Sequence, residues 1–141
     1  MFFRSMVLAS FVVALAGSAS AATVKFHATL NAASEVPPSK STGSGEATAS
    51  LDTATHELSY DVTFAGFSSD VTAAHIHGPA ETGANAGVVV ALGNAPKSPI
   101  HGSAKLTPEQ EKQLTDGSYY VNIHSKNNPG GAIRGQLTEV K

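Results

Sequence analysis

The chain has 141 residues, with nine lysines and arginines against eleven aspartates and glutamates, a formal charge of −2. That length is one domain's worth, and mild acidity with no basic run argues against nucleic acid and anionic membrane surfaces as partners. It holds no cysteine, which removes disulfides, thiolate metal sites and cysteine nucleophiles together.

At the N-terminus, Arg4 precedes an apolar run from Met6 to Ala16, and Ala19-Ser20-Ala21 follows. These are the charged region, apolar region and small-x-small cleavage site of a secretory signal. The run is too short for the roughly 20 apolar residues of a membrane-spanning helix. Residues 1–21 are therefore expected to be a cleaved signal, and residues 22–141 one mature domain with no membrane span. Cleavage would remove one cation and no acid, taking the charge from −2 to −3. Export without disulfides fits a bacterial periplasm or the cell exterior, and about 120 residues can hold a core unaided.

From Val24 the dominant signal is period-two alternation. Val24, Phe26, Ala28 and Leu30 share one side of an extended segment, and Leu58, Tyr60, Val62 and Phe64 share one side of another, each predicting a half-buried strand. Gly45 to Leu51 reads as a weaker strand of small residues. Gly87 to Leu92 is a β-branched run expected to be buried on both faces. Thr107 opens Thr-Pro-Glu-Gln-Glu, a cap residue with proline at the first helical position, so a short helix is expected there, with Leu114 inward and Gly117 at its end. Tyr119 to His124 and Ala132 to Val140 give two further strands. Turn chemistry separates these segments at Pro37-Pro38, Gly43-Ser44-Gly45, Ala65-Gly66, Gly78-Pro79, Gly93-Asn94 and Asn127 to Gly131. The pattern predicts an all-β fold, an antiparallel Greek-key-like sandwich or barrel with one short helix.

Six histidines follow the expected cleavage site. His75 and His77 flank Ile76, and in an extended strand residues two apart share a face. A His-x-His pair on a strand can begin a copper or zinc site, since imidazole suits both metals. His124 lies with Tyr120 and Asn122 on the face opposite Tyr119, Val121 and Ile123, away from the apolar side of its strand. Pairing of that strand with the His75/His77 strand would bring three imidazoles together and leave a coordination position open. The competing reading is that these histidines hydrogen-bond to backbone and position the turn at Gly78-Pro79. His27 and His101 sit singly among ordinary strand residues and read as structural, with outer ligation as the alternative. His56 falls in the turn from Asp52 to Glu57 and is expected in solvent. Arg134, the only arginine after the signal, would brace a loop through carbonyls or attract an anion; bracing is favoured. No Gly-x-Ser-x-Gly elbow, phosphate loop or His-Glu-x-x-His is present.

Taken in order, Glu35-Val36-Pro37-Pro38, His75-Ile76-His77-Gly78-Pro79, Leu106-Thr107, Gly117 with Tyr120-Val121-Asn122-Ile123-His124-Ser125, and Ile133-Arg134-Gly135-Gln136-Leu137 resemble the successive blocks of the chordin-type (CHRD) domain family. The match runs from about Val24 to Leu137, and Ala132 departs from it where the family has glutamate. The resemblance implies a compact β-domain, found singly in exported microbial proteins and repeated in chordin, without a biochemical activity to carry over. A fainter likeness links the His-x-His strand, the distant histidine and the late arginine to copper-zinc superoxide dismutase, an analogy of fold only. This chain has neither that enzyme's disulfide nor its zinc loop.

Three functions compete. The leading one is a periplasmic or secreted module binding copper or zinc through His75, His77 and His124. Next comes a non-enzymatic interaction or structural module of the cell envelope with an unidentified protein partner. The third is a dismutase-like copper redox enzyme in which Arg134 guides an anion.

Overall fold

A computed structural model describes residue 17 and residues 20–141. The signal-peptide reading rests on Arg4 and the apolar run, which lie outside the described residues.

Nine strands form two sheets. β1 (Thr23–Leu30), β2 (Ser44–Asp52) and β3 (Glu57–Ala65) run as a meander. β4 (Val71–His77) and β5 (Val88–Asn94) belong to the second sheet, β6 (Ile100–Lys105) returns to the first, and β7 (Tyr120–Ser125) and β8 (Asn128–Gln136) rejoin the second. β9 (Thr138–Glu139) ends the chain on the first sheet. The orders are β6-β3-β2-β1-β9 and β5-β4-β7-β8, with every pairing antiparallel. The expected Greek-key-like sandwich is present; the two sheets do not close into a barrel.

The alternating residues do what period two requires. Phe26, Leu30, Leu58, Ile76, Ile123 and Ile133 all point between the sheets and are buried; each such side chain contributes roughly 1.5–3 kcal/mol when removed from water. The sheets come close together where Gly135 of β8 faces β1. A Cβ there would come within 2.2 Å of the Thr29 carbonyl oxygen. An isolated bridge between Asn31 and Arg134 joins the same edges.

The helix is α1 (Pro108–Thr115). Thr107 and Gln110 form a reciprocal capping box, Leu114 is buried, and the chain leaves through Gly117 at φ 78°. Two expectations need correction. The Gly87–Leu92 run is not buried on both faces: β5 is the edge of its sheet, only Leu92 is buried, and Val88 is 54 % exposed. The C-terminal strand is two elements, broken at Leu137 where the chain passes between sheets.

Candidate functional site

The outer face of the four-stranded sheet carries the polar residues of its strands. Register places His75 opposite Asn122 and His77 opposite Tyr120, with Asn122 opposite Arg134 on the far side. His124 is paired with Ala73, one step along the same face. Because β4 and β7 are adjacent, His75, His77 and His124 converge: one ring nitrogen from each lies within 4.8 Å of the others, and all three rings are half-buried.

The hydrogen bonds around the rings differ. His124 Nδ1 is 2.8 Å from the Pro129 carbonyl oxygen. A carbonyl only accepts, so Nδ1 carries the hydrogen and Nε2 keeps its lone pair. His75 Nδ1–H then donates to His124 Nε2 at 3.1 Å. Two ligand nitrogens on a tetrahedral zinc, each about 2.0–2.1 Å from the ion, sit about 3.3 Å apart. The His75–His124 pair therefore needs little adjustment beyond a tilt of the rings and loss of the shared proton. The tie from His124 to Pro129 is the kind of outer contact that orients ligating imidazoles.

His77 is held more firmly. Its Nδ1 faces the Ala86 carbonyl oxygen at 3.0 Å and its Nε2 faces Asn122 Oδ1 at 3.0 Å. Its ring stacks on Tyr120, with centroids 5.0 Å apart and planes 4° from parallel. Both partners are acceptors and a neutral imidazole carries a single N–H, so a neutral His77 donates to only one of them, and its other nitrogen keeps the lone pair that could turn to an ion. Burial, the largest cause, and the nearby histidines lower the pKa of His75 below the ordinary 6.5. Burial likewise leads in lowering His77, with its bonds to Ala86 and Asn122 pulling the other way.

Beneath this cluster lies a buried polar layer. Asn122 Nδ2 donates to Glu35 Oε1 at 3.2 Å, which fixes the amide so that its oxygen faces His77. Glu35 enters from the loop after β1, beside Gly131, where a Cβ would come within 2.6 Å of either carboxylate oxygen. Burial, the largest cause, pushes its carboxyl above the ordinary 4.5, against the pull of Asn122, Arg134 and the Val36 backbone. Arg134 is 2 % exposed. Its guanidinium lies 3.5 Å from the Tyr120 ring centroid, donates to Asn85 Oδ1 at 2.9 Å and also donates to the Ala84 carbonyl. The Tyr120 hydroxyl accepts from the Ala86 N–H and donates to its carbonyl oxygen. The segment between β4 and β5 is thereby strapped over the outer face.

A scan against protein-family models matches the CHRD domain over residues 26–137. The chain belongs to the CHRD family. No curated protein and no solved structure matches it. Within this CHRD domain the family-like blocks meet in space: Glu35, His77, Asn122 and Arg134, from four separate blocks, form one polar layer with its bracing loop.

The remaining histidines stand apart from the cluster. His27 Nε2 lies 2.6 Å from Glu46 Oε2, and His101 pairs with Asp61, both on the exposed face of the other sheet. His56, at φ 62°, is half-buried in its turn, not fully in solvent, because its Nδ1 meets Glu111 of α1 at 3.0 Å. Arg134 braces the loop. Sequence reasoning passed over two residues. Asn122 shares a face with His124, but a period-two reading gives no reason to single out an amide. Glu35 enters the sequence reading only as the first residue of a family-like block, with no role attached to it. Among the described residues no helix is long and apolar enough to cross a membrane.

Proposed function

We propose that this CHRD domain is an exported, histidine-based metal-binding module that takes copper or zinc at His75, His77 and His124. The reading rests on the convergence of three ring nitrogens within 4.8 Å of one another, two of them already spaced almost as ligands of one ion. His75 and His124 would supply the first two bonds, and His77 would join through the ring nitrogen that carries no hydrogen. Three protein nitrogens leave a fourth position for water or an exogenous ligand. Export rests on the N-terminal signal pattern and on the occurrence of the family in secreted proteins.

The test is titration of the mature protein with Cu(II), and separately Zn(II), against a competing chelator. One equivalent should bind, and His75→Ala/His77→Ala should lower affinity at least about 100-fold. Wild-type affinity in the double variant would overturn the proposal.

A second reading, a structural or interaction module, draws on the hydrogen bonds from His77 and His124 to backbone carbonyls. It predicts that His77→Ala loses stability in metal-free protein and that wild-type protein takes up no ion. The dismutase-like reading gains nothing from Arg134, whose guanidinium is occupied by Asn85, Ala84 and Tyr120.

A further inference from the structure

A cleft of about 710 Å³ opens between the sheets, where the end of β3 and the start of β4 meet the β5–β6 and β7–β8 turns. It shares no lining residue with the histidine cluster. Its apolar lining has a simple origin. Phe64 continues the inward series Leu58, Tyr60 and Val62, Val71 opens β4, and both line the cleft. Both are half-buried, packed against the core on one side and facing the cleft on the other. Pro96 supplies further apolar surface.

The cleft is held in shape by contacts that need no ligand. Ala95 N–H donates to the Thr72 carbonyl at 2.8 Å, and Phe64 N–H donates to Ser98 Oγ at 2.9 Å. The turn forming one wall is thus tied to a strand of each sheet. The Phe64 ring meets Phe67 edge-on at 5.6 Å, which limits its freedom to collapse inward.

The charges at the rim are uneven. Lys126 is paired with Asp70, Nζ to Oδ2 2.7 Å. Lys97 has neither an ion pair nor a hydrogen bond among the described residues. The cleft therefore carries one uncommitted ammonium beside an apolar surface, on a chain of net negative charge. Pockets of this size, mostly apolar with a few placed polar groups, are the usual form of small-molecule sites.

We infer that this cleft binds a small amphiphilic carboxylate, its apolar body against Phe64, Val71 and Pro96 and its carboxylate on Lys97. No covalent step is involved. The apolar surface supplies most of the affinity, and the ammonium selects an anionic head group over a neutral one.

Octanoate is the probe and octanol the neutral control, titrated into the mature protein at low salt and followed by two-dimensional NMR. The signals of Val71, Thr72, Ala95 and Lys97 should shift on one saturable curve, with a dissociation constant on the order of 1 mM for a ligand of about ten heavy atoms. Lys97→Gln should weaken octanoate about fivefold, the scale of one exposed ion pair, and leave octanol unchanged. Pro96→Asp should weaken both. Binding should persist in His75→Ala/His77→Ala, so the result stands whether or not the histidines take up metal. The proposal is overturned by non-saturating shifts, shifts scattered over the surface, octanol binding as tightly as octanoate, or an unchanged octanoate affinity in Lys97→Gln.

Discussion

Replacing Asn122 with alanine removes a side chain that is 3 % exposed and bridges two buried polar groups. Its amide nitrogen donates to Glu35 Oε1 and its oxygen faces His77 Nε2, at 3.2 and 3.0 Å. The variant strands a buried carboxylate oxygen and a half-buried ring nitrogen. Each unsatisfied buried group costs about 1–3 kcal/mol. The ring can recover a water, so its share falls at the low end, and the total loss should be about 2–4 kcal/mol. Urea unfolding of chelator-treated protein at pH 7, followed by circular dichroism, should show an earlier midpoint at unchanged slope. Metal affinity should move differently. Asn122 is not itself one of the proposed ligands, so Asn122→Ala should leave Cu(II) affinity within about threefold of wild type, whereas His77→Ala should lower it at least tenfold. The reasoning fails if the variant loses less than about 0.5 kcal/mol, or if it weakens the metal as much as His77→Ala does.

Metal affinity should fall on acidification as protons compete for the ligands, with the share of His75 and His77 lost only below the ordinary histidine value of 6.5 because both are held under it; an affinity unchanged from about pH 7.5 to about pH 5 would contradict ligation by imidazole. The same depression makes metal-free protein less stable as pH drops below 6.5, since there the unfolded chain binds more protons than the folded one, and thermal midpoints across that range would show it. Glu35 has the opposite sign: its folded pKa is raised, so its favourable contribution is complete below 4.5 and is lost as pH rises through the folded value. Glu35→Gln, compared with wild type by urea unfolding, should therefore gain relative stability as pH climbs above 4.5, and a difference that is flat with pH would refute this. Gly135→Ala should lose about 1–3 kcal/mol or fail to fold, because the new methyl would sit 2.2 Å from the Thr29 carbonyl oxygen; wild-type stability would show that β1 and β8 can part to admit a methyl without cost.

Local physics carried much of the fold. β1 and β3 announce themselves because each has one wet face and one dry face, and α1 because its cap, proline and terminal glycine act within a single turn. β6 gave no boundary, since its inward positions include Gly102, whose missing side chain makes room for the Tyr60 ring; a strand that packs through absence leaves no hydrophobic alternation. The valines of β5 were misread because a β-branched run reports strand propensity, not how many neighbours the strand has. At the site, the shared face of His75 and His77 follows from spacing alone. The approach of His124 depends on β4 pairing with β7 across some 40 intervening residues, and no local signal encodes that choice. The burial of Glu35 is still less legible, because it arises where a loop from the first sheet lands on the outer face of the second.

Ala86 offers one carbonyl oxygen to both the His77 ring and the Tyr120 hydroxyl, while its neighbours Ala84 and Asn85 receive Arg134. Three consecutive residues thus moor side chains from three different strands. When this short stretch lifts, the imidazole, the phenol and the guanidinium lose their anchors in the same event. A length alteration between β4 and β5 would misplace all three groups at once, whereas Ala84, exposed and contributing only its carbonyl, presents no side chain to the site.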